Sequence, residues 1–256
     1  MHIFESSISP RILVVGGGSG IGLEFVNHFL ADPNLNHIYA TFHHRDSASK
    51  LISLSQKYSH KLSSFPMDIT REKSIENGIK EIIKTSSKLH LVVYCVGTLH
   101  DGELQPEKSL KQISSHQLLT YFQINSIGAV LLAKHILPLL RHADKSIFAS
   151  ISAKVGSIED NALGGWYGYR ASKAALNMLL KTTSIEYGRK SPQTIVVALH
   201  PGTTDTKLSQ PFQKNVPAGK LFSPKKTVNQ LVEVMDSLEI DDNGKFFSWD
   251  GNIIPW

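Results

Sequence analysis

The chain has 256 residues, of which 41% are hydrophobic and 19% are charged, as in an ordinary soluble globular protein. Its net charge of +5 at neutral pH comes from scattered basic residues, with no run longer than Lys225-Lys226. This distribution argues against a nucleic-acid-binding surface. The mild basicity favours attraction of a phosphorylated small molecule.

Three sequence features lead us to expect a cytoplasmic protein. The single cysteine, Cys95, excludes disulfides within one chain. The stretch Met1–Pro10 contains no apolar segment typical of a secretory signal. The most apolar long stretch, Ile127–Leu140, is interrupted by Pro138 and by basic residues, so it is too short and too polar to span a bilayer. We therefore also expect no membrane partner.

Predicted strands and helices alternate along the chain. Short apolar runs predict strands at Ile12–Val15, His37–Phe42, Leu62–Met67, Leu89–Val96, Ser146–Ile151, Thr194–Leu199 and Lys245–Trp249. Helices are predicted at Ile21–Leu30, Ser47–Tyr58, Arg71–Lys84, Lys108–Tyr121, Ile124–Leu140, Tyr169–Tyr187 and Pro224–Leu238. This order predicts a single α/β domain over residues 1–256, with a parallel sheet of about seven strands covered by helices on both faces. The loop-like residues 205–223 are expected to form a lid over the site.

A glycine-rich turn, Gly16-Gly17-Gly18-Ser19-Gly20-Ile21-Gly22, follows the first predicted strand and precedes an amphipathic helix. Strand, glycine turn and helix in this order seat a dinucleotide pyrophosphate on a helix N-terminus. The turn therefore predicts a Rossmann-like, doubly wound fold. We expect the cofactor to contact Gly16, Gly18, Ser19, Gly20, Ile21 and Gly22. A flexible Gly/Ser loop is the alternative, and the flanking strand and helix disfavour it.

Tyr169 and Lys173 form the candidate catalytic pair. A spacing of four on a helix puts both side chains on one face, about 5–6 Å apart at Cβ. An ammonium beside a phenol favours the phenolate, so we expect the pKa of Tyr169 to fall below its usual value. Such a tyrosine exchanges a proton with a carbonyl or alcohol oxygen near neutral pH. The alternative is an exposed Tyr/Lys pair on a helix surface, which the pair alone would favour.

With four further motifs, the chain resembles the short-chain dehydrogenase/reductase family over almost its full length. The matches, in the family's order, are Gly16, Gly20 and Gly22; Asp68 with Ile69; Gly97; Asn125; Tyr169 with Lys173; and Pro201-Gly202-Thr203-Thr204-Asp205-Thr206. The resemblance implies hydride transfer between a nicotinamide cofactor and a small carbonyl or alcohol, with Tyr169 as general acid or base.

The resemblance also implies a role for each matched residue. Asp68 and Ile69 would meet the adenine ring, and Gly97 would line the cofactor. Lys173 would hold the nicotinamide ribose, while Asn125 would sit at a bend in its helix and hold a water beside Lys173. Four residues of the next motif would close on the nicotinamide: Pro201, Gly202, Thr204 and Thr206.

A narrower resemblance is to the C-factor-like branch, which is close to the sniffer-type carbonyl reductases. The segments that carry it are Ala153–Ile158, Gly164–Tyr167, Tyr169–Asn177, Leu199–Thr203 and Trp249–Trp256. The branch is named for a bacterial signalling protein, so two functions stay open. One is an NADP-dependent carbonyl reductase or alcohol dehydrogenase. The other is a cofactor-binding signalling or regulatory protein with little turnover.

The chain departs from the family pattern at the catalytic serine. The usual motif is Ser-Ser-x-x-Gly, and its second serine polarises the substrate carbonyl. When the chain is aligned on Gly156, Ser152 stands at the first serine and Ala153 at the second. A shift of one residue would bring Ser152 into the catalytic place. We predict that Ser152 supplies this hydroxyl, with Ser157 as the alternative.

The end of the second predicted strand determines the expected cofactor. An acidic residue there binds the ribose 2′-hydroxyl of NAD, but the aligned residue is Phe42. His43, His44 and Arg45 follow and are suited to a 2′-phosphate, so we predict NADP in preference to NAD. A solvated loop is the alternative. No third ligand accompanies the two histidines at a useful spacing, so no metal is expected.

The sequence also suggests a pocket wall and an assembly. Candidate wall residues are Leu163, Trp166, Phe212, Val216, Leu221 and Phe222, although ordinary loop packing explains them equally well. The predicted helices Ile124–Leu140 and Tyr169–Tyr187 are apolar around much of their circumference. A monomer would leave these surfaces exposed, so we expect a homodimer or homotetramer.

Overall fold

The structure is a computed structural model that describes residues 9–102 and 104–256. Most of the stretch Met1–Pro10 considered above lies outside the described residues. The strands are β1 (Arg11–Val15), β2 (His37–Phe42), β3 (Leu62–Pro66), β4 (Leu91–Tyr94), β5 (Ser146–Ile151), β6 (Thr194–His200), β7 (Thr203–Thr204), β8 (Leu221–Phe222) and β9 (Phe246–Ser248). The helices are α1 (Gly20–Leu30), α2 (Ser49–Lys57), α3 (Glu72–Ile83), α4 (Ser115–Phe122), α5 (Gly128–Leu140), α6 (Tyr167–Lys190) and α7 (Pro224–Asp236).

Seven strands form one parallel sheet in the order β3-β2-β1-β4-β5-β6-β9. Alternate residues of β1 point to opposite faces: Ile12 and Val14 pack under α1, α2 and α7, whereas Leu13 and Val15 pack under α3, α5 and α6. Because both faces are covered, the inner strands are mostly apolar and lack polar alternation, whereas the edge strand β3 carries the half-buried Ser63 and Ser64. The prediction of a doubly wound parallel fold with about seven strands is confirmed.

One helix differs from its prediction. The predicted helix Lys108–Tyr121 begins only at Ser115, because Ser114 caps it by accepting a 3.2 Å hydrogen bond from the backbone N–H of Gln117. The residues before it form only a short 3₁₀ turn, Leu110–Gln112. The prediction was therefore wrong over the first turns of this helix.

A π-helical turn, Gln123–Ile127, joins α4 and α5 into one continuous helix. By length and composition, residues 115–140 are long and apolar enough to cross a membrane, but half of their most apolar 18-residue stretch is buried inside the protein. This burial is what a core helix requires.

The predicted lid, residues 205–223, is tied to the body of the protein near both of its ends. β7 and β8 pair in parallel, with Thr203 opposite Leu221 and Thr204 opposite Phe222. Between them lies a 3₁₀ helix, Gln210–Asn215. The segment is therefore a loop with a closed base, and its function as a lid stays a prediction.

Candidate active site

The glycine turn between β1 and α1 packs too closely for side chains. Gly16 and Gly20 have φ angles of +82° and +54°, which glycine adopts without strain. A Cβ at Gly22 would collide with the carbonyl oxygen of Gly16, so the helix sits directly on the turn. Ser19 is exposed at the N-cap of α1, and within the described chain its hydroxyl makes no capping bond. Unpaired N–H groups of the first turn and this hydroxyl form a cradle that fits a phosphate.

The end of β2 lies against the same turn. The N–H of Gly17 donates a 2.7 Å hydrogen bond to the carbonyl oxygen of Thr41. A Cβ at Gly18 would lie 3.3 Å from that of Ala48 and 3.4 Å from that of Phe42. Glycine at position 18 therefore allows the segment after β2 to approach the proposed phosphate cradle.

The basic cluster His43, His44 and Arg45 is exposed at this edge. Nε2 of His43 lies 3.7 Å from Oδ2 of Asp68. The other oxygen of Asp68 accepts hydrogen bonds from the N–H (2.9 Å) and the hydroxyl (2.6 Å) of Thr70. The residue predicted to meet the 2′-phosphate, His43, and the residue predicted to meet the adenine, Asp68, are thus neighbours. The basic side chains of the cluster face solvent.

The motif after β6 reaches the glycine turn through Thr206. A Cβ at Gly20 would lie 3.4 Å from Cγ2 of Thr206. Two other predicted cofactor residues turn their side chains inward. The hydroxyl of Thr204 shares a 2.8 Å hydrogen bond with that of Thr227, and Ile69 is buried in the core. Contacts from these two residues to a cofactor would therefore come from the backbone or from the edge of the side chain.

Pro201 and Gly202 hold this motif against the end of the sheet. Gly202 has a φ angle of +70°, and a Cβ there would lie 2.7 Å from the ring of Phe222. Phe222 in turn packs edge-on against Trp249, with ring centroids 4.8 Å apart. Phe222 therefore belongs to the packing under the motif, although the sequence suggested it as a pocket wall.

Lys173 is buried at the carboxyl end of the sheet, with 3% of its surface exposed. Its Nζ donates a 3.0 Å hydrogen bond to the carbonyl oxygen of Ile151, the last residue of β5. Burial lowers the pKa of Lys173 to about 8, against a smaller opposing effect of Cys95. A Cβ at Gly97 would lie 3.3 Å from this Nζ and 3.4 Å from Oδ1 of Asn125, so Gly97 leaves room for both groups.

Asn125 is completely buried in the π-helical turn. Its Nδ2 donates to the carbonyl oxygen of Thr98 (2.9 Å) and to the hydroxyl of Ser172 (3.0 Å). Its Oδ1 accepts from the N–H of Thr98 (2.7 Å). Ser172 in turn donates to the carbonyl oxygen of Tyr169. One amide therefore joins the loop after β4 to the helix segment between Tyr169 and Lys173.

Tyr169 is buried beside Lys173, whose Nζ lies 5.9 Å from the centroid of the phenol ring. Burial raises the pKa of Tyr169 above its usual value, and Tyr121 adds a smaller effect in the same direction. The prediction of a lowered pKa is therefore wrong for this structure, because loss of hydration outweighs the neighbouring ammonium. A raised pKa keeps the phenol protonated at neutral pH, which is the form that a general acid requires.

Apolar side chains surround Tyr169. Its ring centroid lies 6.3 Å from that of Tyr121 and 6.2 Å from that of Trp166, and Trp166 lies 4.8 Å from Phe212 of the predicted lid. Leu163, the other wall candidate of this segment, is 92% exposed. The same cluster includes Leu99, Leu104, Ala153, Val155 and Leu208. The residues around the phenol thus form an apolar, largely aromatic wall.

Ser152 does not face this wall. Its hydroxyl is buried and donates a 2.6 Å hydrogen bond to Oδ1 of Asn177. Asn177 follows Tyr169 by eight residues, about 12 Å along the helix axis. Ala153 is the residue of this segment that packs near Tyr169. The prediction that Ser152 polarises the substrate carbonyl disagrees with this geometry, because its hydroxyl is bonded away from the phenol. The alternative, Ser157, is also buried, and its hydroxyl accepts from the N–H of Asp160.

Three residues of the site escaped the sequence analysis. Tyr121 packs against Tyr169, Glu107 binds the first turn of α6, and Asn177 fixes Ser152. Each acts through a contact with a residue far away in the chain. Asn177 ends the segment Tyr169–Asn177 that carries the narrower resemblance, whereas Tyr121 and Glu107 belong to none of the motifs above.

A group of three side chains in the described ranges has the spacing for a metal ion. The ligand atoms of His90, His142 and Asp144 lie within 4.8 Å of one another, at the amino ends of β4 and β5. However, Nζ of Lys88 already lies 2.9 Å from Oδ2 of Asp144. Nδ1 of His90 accepts from the N–H of Arg11, which leaves the proton on Nε2, the atom facing Asp144. These contacts do not favour a metal there.

Comparison with known proteins agrees with this geometry. The sequence profile of the short chain dehydrogenase family matches residues 10–217. The chain belongs to the short-chain dehydrogenase family.

Two curated relatives of this short-chain dehydrogenase are informative. An uncharacterised oxidoreductase of Saccharomyces cerevisiae is 28% identical over 256 residues, covering 95% of this chain and 97% of the relative. C-signal of Myxococcus xanthus is 33% identical over 135 residues, covering 53% of this chain and 76% of C-signal. The predicted family resemblance is confirmed, and C-signal agrees with the narrower branch.

Solved structures support the same assignment. Carbonyl reductase from chicken fatty liver, determined with NADPH bound, has a TM-score of 0.84 and 28% identity, covering 96% of this chain and 98% of that one. Carbonyl reductase Sniffer of D. melanogaster has a TM-score of 0.83 and 24% identity, covering 97% of this chain and 100% of that one, which supports the fold. Family membership and an NADPH-bound structural neighbour support nicotinamide-dependent redox chemistry for this short-chain dehydrogenase.

Proposed function

We propose that this protein is a cytoplasmic, NADP-dependent reductase of small carbonyl compounds that acts on alcohols in the reverse direction. The observation that carries the proposal is the buried network of Tyr169, Lys173 and Asn125 at the carboxyl ends of the strands. Ligands of open α/β sheets bind at this edge. The glycine turn and the basic cluster lie at the same edge, so a single bound dinucleotide would reach from His43 to Tyr169.

NADPH supplies a hydride when it is bound. The phenol of Tyr169 donates the proton to the carbonyl oxygen, since burial keeps this hydroxyl protonated. Lys173 holds the cofactor ribose through its buried ammonium, and Asn125 fixes the helix turn between the two catalytic side chains. Because Ala153 has no hydroxyl, we assign the hydrogen bond to the substrate oxygen to Tyr169 alone.

The cofactor preference rests on the exposed cluster His43, His44 and Arg45. A guanidinium pairs with phosphate through two parallel hydrogen bonds, and no acidic side chain occupies position 42 to bind a free 2′-hydroxyl. Fluorescence titration of the purified protein is expected to give a Kd for NADPH at least about tenfold lower than for NADH. A preference for NADH would contradict the cofactor assignment.

Turnover tests the activity itself. With NADPH and a panel that includes phenanthrenequinone and nitrobenzaldehyde, we expect reduction that Tyr169→Phe abolishes. Tyr167→Phe is the matched control, because this neighbouring tyrosine lies on another face of α6 and should keep full activity. Activity in Tyr169→Phe equal to that of the wild type would contradict the proposed mechanism.

A second candidate function is a cofactor-binding signalling protein with little turnover. The alanine at position 153 favours it, because a residue that normally stabilises developing charge is missing there. The similarity to C-signal points in the same direction. Tight NADPH binding without reduction of any carbonyl in the panel would favour this function over the first.

The proposed assembly is a homodimer or homotetramer with no nucleic-acid or membrane partner. The outward face of α6 carries Met178 and Ile185, which are 67% and 50% exposed. Ile127 is exposed on the neighbouring long helix. A second copy of the chain covering these side chains would remove apolar surface from water.

A further inference from the structure

Glu107 is a carboxylate that is almost completely buried in the loop between β4 and α4, with 1% of its surface exposed. The residues that follow it, Lys108 and Ser109, are exposed. An ionised carboxylate loses its hydration when it is buried, so its burial requires a compensating contact.

The compensating contact is the N-terminus of α6, the helix that carries Tyr169. Oε2 of Glu107 accepts a 3.0 Å hydrogen bond from the N–H of Gly168, the second residue of this 24-residue helix. The backbone oxygen of Glu107 accepts a 2.5 Å hydrogen bond from the N–H of Trp166, the N-cap. The first turn of a helix carries unpaired N–H groups and a partial positive charge, which a carboxylate satisfies.

This helix lacks a cap of its own. Trp166 has no acceptor in its side chain, and no acid occurs in the first turn. Trp166 also has a φ angle of +52°, and Gly164 and Gly165 before it have φ angles of +65° and +67°. Three successive left-handed residues are an unusual entry to a helix, and the two hydrogen bonds that Glu107 accepts hold their end in place.

The second oxygen of Glu107 faces the aromatic wall. Within residues 9–102 and 104–256, buried Oε1 has no hydrogen-bond partner. A Cβ at Gly168 would lie 2.9 Å from this oxygen and 2.9 Å from Cε2 of Tyr121. Tyr121 donates a 2.7 Å hydrogen bond to the carbonyl oxygen of Leu99 and packs edge-on against Tyr169. Glu107 therefore binds the residue before Tyr169, and its second oxygen lies on the side of Gly168 where Tyr121 packs.

We propose that Glu107 is a positioning residue that caps the catalytic helix from a distant loop and holds the hydroxyl of Tyr169 in its reactive place. This inference rests on the proposed function. Tyr169 is the third residue of α6, so any shift or fraying of the first turn moves its phenol directly. A displacement of about 1 Å at a reacting group lowers turnover by about a hundredfold.

The charge of Glu107 also acts on Tyr121, the neighbour of Tyr169. Burial is the main cause of the raised pKa of Tyr121, and Glu107 adds a smaller effect in the same direction because a nearby negative charge disfavours the phenolate. The titratable groups around Tyr169 are Tyr121 from α4, Lys173 from α6 and, behind Tyr121, Glu107, whereas the lid contributes the uncharged Phe212. Lys173 loses its proton before either phenol, and its pKa shift comes from burial and Cys95, so removing the charge of Glu107 should leave the basic limb of the pH profile in place.

The decisive variant is Glu107→Gln, which keeps the shape and the acceptor oxygen and removes the charge. With NADPH and phenanthrenequinone, we expect kcat to fall about tenfold while KM and the Kd for NADPH change less than about twofold. The basic limb of kcat should stay in place. Glu107→Asp keeps the charge but shortens the side chain by one methylene, so it is also expected to lower kcat. Glu186→Gln, exposed on the same helix, is the matched control and should behave as the wild type.

A Glu107→Gln enzyme with the kcat of the wild type would overturn the inference. If this variant is too unstable to assay, Glu107→Asp decides. A lower kcat with an unmoved basic limb supports positioning, and an unchanged kcat overturns it. Tyr169→Phe distinguishes a failure of the proposed function from a failure of the inference about Glu107. Turnover in Tyr169→Phe overturns the proposed function and this inference with it, whereas an inactive Tyr169→Phe beside a wild-type-like Glu107→Gln overturns this inference alone.

Discussion

The hydroxyl of Ser152 donates a 2.6 Å hydrogen bond to Oδ1 of Asn177, and Ala153 packs in the cluster around Tyr169. Ser152→Ala removes this hydrogen bond and leaves a buried amide oxygen without its donor. We expect the free energy of unfolding to fall by about 1–3 kcal/mol, with kcat little changed. Urea denaturation and steady-state kinetics of the same preparation measure both. Loss of turnover in a variant of undiminished stability would instead assign the catalytic hydroxyl to Ser152.

Ala153→Ser is the complementary change. A hydroxyl at this position would stabilise the charge that develops on the substrate oxygen, so kcat/KM for carbonyl reduction should rise by about tenfold or more. Ala153→Gly, which adds no donor, is the control and should bring no gain. An Ala153→Ser enzyme no faster than the wild type would show that the wall at position 153 does not face the substrate.

The pKa of Lys173 predicts a loss of activity on the alkaline side. Reduction requires the ammonium of Lys173 and the protonated phenol of Tyr169, and the lysine is the first of the two to lose its proton as the pH rises. We expect kcat/KM, which reports groups of the free enzyme, to fall as the pH passes about 8. A profile that stays level up to about pH 10 would contradict the lowered pKa of Lys173.

The same shift has a consequence for stability. The folded-state pKa of Lys173, about 8, lies below the ordinary value of 10.5, so between these values the unfolded chain holds the proton and the folded chain does not. The contribution of this residue to the free energy of unfolding therefore increases as the pH rises through that window. Urea denaturation of the wild type and of Lys173→Met at several pH values in this window isolates the contribution of Lys173 to the free energy of unfolding. Parallel stability curves for the two proteins would contradict the expectation.

Gly22→Ala should abolish cofactor binding. The added Cβ would collide with the carbonyl oxygen of Gly16 and push the turn away from the helix N-terminus. Gly188→Ala is the matched helical control, because the nearest atom to a Cβ there is Nδ2 of Asn243 at 3.5 Å. We expect fluorescence titration to show no NADPH binding by Gly22→Ala, and binding like that of the wild type by Gly188→Ala. Normal binding by both would contradict the phosphate cradle.

Arg45→Ala tests the basic cluster. Loss of a guanidinium facing a 2′-phosphate should raise the Kd for NADPH about tenfold and leave the Kd for NADH unchanged. Arg141→Ala, which removes an exposed arginine after α5, controls for net charge. An equal loss of affinity for both cofactors would mean that the basic cluster does not bind the 2′-phosphate of NADPH.

Met178→Glu tests the assembly. A charge in the centre of an apolar interface is strongly unfavourable, so light scattering at micromolar concentration should detect a shift from dimer or tetramer to monomer. Ile240→Glu, which alters an exposed apolar side chain outside α6, should leave the mass unchanged. A wild-type protein that is already monomeric would contradict the proposed assembly.

The sheet was predictable from the sequence because most of its strands are local apolar runs that are covered on both faces; the edge strand β3 is the exception. The glycine turn was also visible, since its glycines stand between a predicted strand and a predicted helix, although the contacts of Gly18 and Gly20 with distant residues were not. By contrast, the direction of the Ser152 hydroxyl depends on Asn177, and the burial of Glu107 depends on Gly168, which is 61 residues away. Contacts of this kind leave no trace in residue spacing.

The direction of the pKa shift of Tyr169 was mispredicted for a related reason. Spacing indicated that Lys173 is near the phenol, but it gave no measure of how much water the surrounding chain removes. Tyr121, Trp166 and Phe212 come from three separate segments, and together they shield the ring. The sign of a pKa shift follows from the balance of these effects, which only the folded arrangement reveals.

The parallel pairing of β7 with β8 closes the base of the loop that contributes Phe212 to the aromatic wall. Because Thr203 and Leu221 are already held together, the chain between them can change in length or sequence without altering the register of the main sheet. Such a loop is a natural point of divergence among proteins that share the same proton-transfer residues. Exchange of residues 207–220 between relatives is therefore expected to transfer substrate preference while Thr206 and the rest of the cofactor site stay intact.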